Sequence, residues 1–293
     1  MSVVGNLRKL ILGTAQFGLD YGISNVHGRL AQGEVVALLG KAAEAGITTL
    51  DTAAAYGESE ASIGMALHGS GSFRIITKYP PNAPGKPTEH ALGESLQRLG
   101  PGKIYGYLLH SYSTYQNKPA VLAELQDLKA QGKVEKIGVS LYHPEEAVAL
   151  LHADAPIDIV QFPYSVFDRR FERVLPDLRS RGIETHARSI YLQGLYFMGP
   201  DAIPVHLQKA APNVKVLQQV AAKYDLPLGA MLMGFVLQNA TITNVVVGVE
   251  SLQTLEENIA FTTTQLSEEL ILSLQDFEER DENIILPYNW AKA

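Results

Sequence analysis

Four polar residues follow closely on strand-like runs early in the chain: Asp51 and Tyr56 in TTLDTAAAYGES, Lys78 in FRIITKYP, and His110 in YGYLLHSYS. A carboxylate, a phenol, an ammonium and an imidazole together could make a proton-donating site. Parallel barrels gather functional side chains at the carboxyl ends of their strands, so residues far apart in sequence but alike in position can converge there. Each residue alone also has a structural reading. Tyrosine occurs 13 times, Lys78 could be a charge on a barrel rim, and His110 a satisfied core histidine. Their joint placement after successive strands shifts the balance toward chemistry.

The elements that must position these residues are visible as a repeat. Eight apolar, β-branched-rich runs recur: KLILGTAQ, TTLDTA, RIITK, YGYLLH, KIGVS, DIVQF, GIETHA and NVVVGV. Segments with helical apolar spacing lie between most of them, among them EVVALLGKAAEAG, AVLAELQDLKAQG and SLQTLEENIAF. Pro144 followed by Glu145 and Glu146 marks one helix start, Ser251 another as an N-cap, and glycines at 46, 100, 132 and 182 mark helix ends. Strand and helix alternating in this way imply a parallel sheet. A doubly wound open sheet would alternate identically. Eight strand runs in 293 residues, with no Ser- or Pro-rich linker, favour one closed (β/α)8 TIM barrel of the α/β class spanning residues 1–293. The stretch from Gly194 to Asn213, rich in glycine, proline and aromatics, breaks the rhythm after the seventh strand and is expected to be a long functional loop.

Composition narrows the setting. Hydrophobic residues make up 46% and charged residues 19%, and cysteine is absent, so thiolate chemistry and disulfides are excluded. The net charge of −7 argues against nucleic acid as a main partner, because duplex affinity depends on clustered Lys and Arg. The start, MSVVGNLRKLILG, lacks a long apolar signal core, and no uninterrupted apolar run of about 18 residues is present. The expectation is a soluble cytoplasmic protein with no membrane partner. His90, His143, His152, His186 and His206 show no metal-ligand spacing, so no metal is assigned.

The stretches LGTAQFGLDYG, DTAAAYGESEASIG, ITKY, LLHS, KIGVS, VQFPYS and VGVESLQTLEENI together resemble the aldo-keto reductase family, in that family's order. The resemblance covers nearly the whole chain, and DTAAAYGESE and LEEN are its most specific pieces. It implies a (β/α)8 barrel that binds a nicotinamide cofactor and reduces aldehyde or ketone carbonyls, sugar-like ones included, to alcohols. By the same resemblance Tyr56 matches the proton donor, Lys78 and Asp51 its charged partners, and His110 the residue that orients the substrate carbonyl. The chemistry is coherent. A free phenol with a pKa near ~10 is a sluggish acid at neutral pH. An ammonium about 4 Å away is worth roughly 4 kcal/mol at an effective dielectric near 20, or about three pKa units, against which burial of the phenol acts. Lys78 is therefore expected to lower the Tyr56 pKa, with Asp51 keeping the lysine charged.

For the cofactor, the resemblance places Ser140 and Gln161 against the nicotinamide carboxamide and main chain at Ser189, Leu192, Gly194 and Leu195 against the diphosphate. It puts Ser251, Thr254, Glu257 and Asn258 near the helix after the eighth strand, and it adds Thr14, Asp51 and Gly248. Helix N-termini are natural phosphate sites. Three departures from the family pattern stand out. Leu141 replaces an asparagine that would bind the carboxamide. Arg188, in HARS, replaces an aromatic that would stack on the nicotinamide; its charge could bias the cofactor's redox poise or bind an anionic substrate group. The late segment Gly248, Glu250, Gln253 and Thr254 lacks a basic residue for a 2′-phosphate, so NADP is expected first from family habit, with NAD open.

A small-molecule carbonyl, or the corresponding alcohol in the reverse direction, is the expected substrate, in a pocket with Phe17, Tyr21 and Tyr79 beside Tyr56 and His110, and Trp290 of the tail as a further candidate. Two rivals stay open on the sequence. One is a nucleotide-binding barrel with a regulatory or partner-binding role and little turnover. The other is a barrel lyase or isomerase using Lys78 as a Schiff-base nucleophile, in which Asp51 and Tyr56 would have no required place. Substrate identity, direction of reaction and oligomeric state are not encoded in any motif.

Overall fold

The computed structural model describes residues 3–68, 73–81, 85–100 and 104–290. Eight parallel strands close into a barrel in sequence order: β1 (Leu10–Gly13), β2 (Thr49–Asp51), β3 (Arg74–Tyr79), β4 (Ile104–Leu109), β5 (Val134–Ser140), β6 (Ile159–Pro163), β7 (Glu184–Arg188) and β8 (Asn244–Gly248). Closure is made by the β1–β8 ladder, which runs from Leu10 opposite Val245 to Gly13 opposite Gly248. All eight apolar runs in the sequence are strands. The structure is the (β/α)8 TIM barrel that the repeat implied.

Helices cover the outside: α1 (Gln32–Ala45), α2 (Ser59–Leu67), α3 (Thr88–Leu99), α4 (Val121–Ala130), α5 (Pro144–His152), α6 (Leu175–Ser180), α7 (Ala211–Lys223), α8 (Leu228–Gln238), α9 (Leu252–Phe261) and α10 (Glu268–Gln275). Their ends follow the local chemistry of the sequence. Ser251 Oγ accepts the Thr254 amide at 3.1 Å and caps α9. Glu146 Oε2 accepts the amides of Tyr142 at 2.7 Å and His143 at 3.1 Å and fixes the start of α5. Gly46 ends α1 in the left-handed region at φ 90°. Among the described residues no single helix is long and apolar enough to cross a membrane.

The apolar residues separate into two cores because successive strand residues face opposite sides. A large shell fills the space between strands and helices, whereas Ile11, Ile76, Tyr105, Leu108, Ile159 and Val246 form a small cluster inside the barrel. That parity decides what reaches the rim. Two residues beyond inward-facing Ile76 stands Lys78, two beyond Ile159 stands Gln161, and two beyond Val246 stands Gly248. These three inward columns thus change from apolar to polar or small residues at the carboxyl ends, whereas the column of β7 is already polar at buried His186.

The segment after β7 is not an open loop. It forms three short 3-10 turns, Leu192–Phe197, Pro200–Ala202 and Val205–Ala210, before α7 begins. Buried Leu192, Leu195, Tyr196 and Leu207 anchor it to the outer core. At the other end of the chain, Trp290 donates its indole N–H to Ile284 O at 3.1 Å and is packed away. It closes the tail and does not enter the pocket considered for it; residues 291–293 lie outside the described residues.

Candidate active site

Asp51 ends β2, Lys78 stands one residue before the end of β3, and His110 follows β4 directly. Lys78 Nζ lies 2.6 Å from Asp51 Oδ1 and donates to Thr52 O at 2.9 Å. The other carboxylate oxygen, Asp51 Oδ2, accepts from Gln161 Nε2 at 2.8 Å. Both charged side chains are buried, with Lys78 1% and Asp51 2% exposed. A buried pair is tolerated only when its remaining polar atoms are also satisfied, and the Thr52 carbonyl and Gln161 amide do that here.

Tyr56 sits in the turn between β2 and α2, its ring centre 5.2 Å from Lys78 Nζ. The His110 ring meets it edge on, with centroids 5.7 Å apart and planes at 89°. The turn is held from beneath. Ser59 Oγ lies 2.8 Å from Thr14 O, 2.9 Å from Thr14 Oγ1 and 3.0 Å from Thr52 Oγ1. Thr14 Oγ1 in turn donates to Asp51 O at 2.9 Å, joining the ends of β1 and β2. The backbone around Tyr56 is in close contact with the β1 loop. A Cβ on Gly18 would fall 1.9 Å from Tyr56 O, and one on Gly57, whose φ is +55°, would fall 2.4 Å from Gly18 O. Only glycine permits this approach.

The electrostatics differ from the sequence expectation in one respect. Burial and the Asp51 carboxylate push the Tyr56 phenol above its ordinary range, with Arg188 pulling the other way. Lys78 does not reverse this. Burial lowers its own pKa, which Asp51 holds up, and a carboxylate at 2.6 Å cancels much of the field that the ammonium sends toward the phenol. His110 is lowered to about 3 by burial, with Lys78 and Arg188 adding to the effect. It is therefore neutral at physiological pH, and its Nδ1 has no hydrogen-bond partner.

A cavity of about 660 Å³ opens beside this group and runs along the carboxyl ends of β6, β7, β8 and β1. Its size suits a small-molecule or cofactor site. Of the residues singled out in the sequence, Thr14, Tyr21, Asp51, Tyr56, Gln161, Arg188, Ser189, Gly194, Gly248, Thr254, Glu257 and Asn258 line it. Lys78 lies buried behind Asp51, and Ser140 is buried opposite Gln161 in the β5–β6 ladder. Ser251 is engaged at the α9 cap. The side chains of Leu192 and Leu195 point into the core.

Phe17 and Tyr79 are corrections: both belong to the outer core and neither lines the cavity. Phe17 is rolled inward by the 3-10 turn Ala15–Phe17 and is 1% exposed. Tyr79 is one residue from inward-facing Lys78 and so faces the helices, where its hydroxyl donates to Lys86 O at 2.7 Å. The sequence reading also missed lining residues. Gln16 is 8% exposed, borders the cavity, and has an unpartnered Oε1. Tyr191, whose hydroxyl donates to Asn258 Oδ1 at 2.8 Å, and Phe261 line it too. Gln16 lies within the quoted stretch LGTAQFGLDYG, the one signal that could have exposed it.

The sequence from residue 9 to residue 279 matches the model of the aldo/keto reductase family. Among curated proteins, an uncharacterized oxidoreductase, YqkF, of Bacillus subtilis (strain 168) is 25% identical over 302 residues, covering 94% of this chain and 98% of its own. Aldo-keto reductase str7 of Strobilurus tenacellus is 26% identical over 273 residues, covering 84% and 81%. Among solved structures, the holo form of aldo-keto reductase AKR11C1 from Bacillus halodurans superposes with a TM-score of 0.77 at 22% identity, over 94% of each chain. PA4992, a putative aldo-keto reductase from Pseudomonas aeruginosa, gives 0.62 at 22% identity over 87% of this chain and 89% of its own. These likenesses at low identity bear on the barrel alone, whereas the family model spans all eight strands. With that match over its whole barrel, the chain belongs to the aldo/keto reductase family and is an oxidoreductase of the kind that uses nicotinamide cofactors.

Proposed function

We propose that this protein reduces aldehyde or ketone carbonyls to alcohols with a reduced nicotinamide nucleotide, Tyr56 acting as general acid and Lys78, Asp51 and His110 assisting. The observation that carries the reading is the convergence of the four groups at one rim: the Lys78–Asp51 pair at 2.6 Å, its ammonium 5.2 Å from the Tyr56 ring centre, and His110 edge-on to that ring. A nicotinamide nucleotide bound in the cavity would supply the hydride that reaches the carbonyl carbon. This chain's own residues handle the oxygen. Neutral His110 donates a hydrogen bond to it and draws charge toward it. A phenol with a raised pKa stays loaded with its proton across the neutral range and releases it only as the oxygen becomes strongly basic. The phenolate left behind gains the attraction of the Lys78 ammonium, which Asp51 keeps protonated.

The donor set fits such a cofactor. Gln161, Ser189, Gly194, Gly248, Thr254, Glu257 and Asn258 border the cavity in the places where the family holds it, and Gln16 offers an unpartnered acceptor. For the nucleotide itself, NAD(H) is the better-fitting form, reversing the order that family habit set. Glu250 and Glu257 line the end near α9, and Arg188, near Tyr56, is the basic residue among the described lining residues. The hydroxyls of Ser251 and Thr254 lie 3.1 Å apart and bond each other. A 2′-phosphate there would meet carboxylates without a cation, whereas a ribose diol can donate to them. A cytoplasmic setting and one functional domain over residues 1–293 belong to the same proposal.

A panel of aldehydes and ketones, followed by loss of the reduced nicotinamide's absorbance beside Tyr56→Phe, tests it. The variant is expected to bind cofactor normally and lose roughly 10²- to 10⁴-fold in kcat. Wild-type turnover in the variant would sink the mechanism.

A further inference from the structure

Arg188 is an unneutralised cation at the reacting end of the cavity. It closes β7, two residues beyond buried His186, so it completes an inward-facing column at the rim. Its guanidinium carbon stands 4.3 Å over the Tyr142 ring. One nitrogen donates to Leu141 O at 3.2 Å and another to Ser189 Oγ at 3.3 Å. Both partners are neutral, and among the described residues no carboxylate lies within ion-pair distance of Arg188. By contrast Arg170, near the same rim, is held by Asp168 at 2.9 Å and Glu282 at 2.8 Å.

Tyr142 fixes the platform beneath the guanidinium. Its ring packs on Tyr288 of the C-terminal segment at 4.5 Å, and its carbonyl accepts from Arg170 at 3.1 Å. Arg188 thus sits on a braced aromatic face, borders the cavity and retains donors of its five that no protein group takes. Its field reaches all three proposed groups: it adds to the lowering that burial imposes on Lys78 and His110, and it opposes the larger upward push of burial on Tyr56. The reacting end consequently carries one charge beyond the balanced Lys78–Asp51 pair.

We propose that the carbonyl substrate carries an anionic group, a carboxylate or a phosphate, and that Arg188 binds it. The assignment rests on the carbonyl-reductase reading and narrows its substrate class. An anion next to Arg188 satisfies the free donors with charge-assisted, potentially bidentate hydrogen bonds. It also offsets the repulsion between Arg188 and the cationic ring that a nicotinamide becomes once its hydride has left. A neutral carbonyl compound does neither.

The test compares charged and neutral partners of matched shape. Wild type, Arg188→Gln and Arg188→Lys are assayed with 4-carboxybenzaldehyde against 4-formylbenzamide, and with glyceraldehyde 3-phosphate against glyceraldehyde; the two arms separate carboxylate from phosphate. Binding of 4-(hydroxymethyl)benzoate against 4-(hydroxymethyl)benzamide, and of glycerol 3-phosphate against glycerol, is measured by calorimetry in the same three proteins, which needs no turnover. In at least one arm the wild type should favour the anion by about 10-fold or more in kcat/KM, and this ratio should fall to about 2-fold in Arg188→Gln while Arg188→Lys keeps part of it. A ratio near one in both wild-type arms, or a preference unchanged in Arg188→Gln, overturns the assignment. If no carbonyl is reduced at all, the reductase reading fails separately, and calorimetry still decides whether Arg188 selects the anion.

Discussion

Tyr56 and His110 meet edge to face, with ring centroids 5.7 Å apart and planes at 89°. The contact places an imidazole against the proposed acid while burial, Lys78 and Arg188 lower its pKa to about 3. This environment suits the neutral hydrogen-bonding role proposed for His110 and not that of a second acid.

A pH dependence follows from that value. The folded His110 takes its proton near pH 3, whereas the unfolded chain takes it near ~6.5. The stabilisation from keeping it neutral is thus complete above pH ~6.5 and is lost progressively as pH falls toward 3. Thermal melts from pH 7 to pH 4 should show a smaller acid loss in His110→Gln than in wild type. Histidine NMR should find this ring neutral at pH 5. For carbonyl reduction the variant should lose about 10²- to 10³-fold in kcat, the range for one positioned donor. A ring that titrates near its ordinary value would refute the argument.

The Lys78–Asp51 pair tests stability and chemistry together. With both groups buried, Lys78→Met strands a carboxylate and should cost about 3–5 kcal/mol, read from denaturant unfolding. Adding Asp51→Asn removes the stranded charge, so the double variant should recover a large part of that loss. Its activity should stay low, because the ammonium nearest the phenol is gone and Arg188 alone is left to stabilise the phenolate. Recovery of turnover together with stability would remove Lys78 from the mechanism.

Much of this arrangement was legible in the sequence, for identifiable reasons. Strands buried on both faces read as nearly continuous apolar runs, which is why all eight were found, and amphipathic helices such as α1 and α4 declare themselves by period. Helix α8 did not. LGAMLMGFVLQ is apolar on every side and buried from Gly229 to Leu237, so it has no polar face to reveal a period. Side-chain parity was the other loss. Lys78 and Tyr79 look equally close to the rim in sequence, but one faces into the barrel and the other faces the helices. The raised pKa of Tyr56 comes first from its burial and then from the Asp51 carboxylate, and residue spacing contains neither the depth nor the distance.

The contact between Gly18 and the Tyr56 turn gives a prediction remote from any charge. In Gly18→Ala the new methyl would meet Tyr56 O at 1.9 Å and the Ser59 amide at 2.4 Å, both rigid backbone atoms. The turn must shift, and a displacement near 1 Å in a reacting group can cost about 10²-fold in rate. Activity should therefore fall by about that factor while the melting temperature drops only by the few degrees expected of a local clash. A variant with unchanged kcat would mean that the turn tolerates movement and that Tyr56 is not positioned through it.

The acidic rim near α9 predicts cofactor choice. Glu250 and Glu257 border the cavity, and Glu257 is itself held by Gln253 Nε2 at 2.8 Å. Adding a phosphate dianion beside these carboxylates brings like charges together in a partly dehydrated site, where their repulsion is screened less than in bulk water. Calorimetric titration should therefore find NADH bound about 10-fold or more tightly than NADPH, with the gap narrowing as salt is raised. Glu250→Lys replaces repulsion by attraction and should tighten NADPH while leaving NADH within about 3-fold, since a ribose hydroxyl interacts only weakly with a cation. Tighter binding of NADPH by the wild type would show that backbone amides outweigh the carboxylates, and it would restore the cofactor order usual for the family.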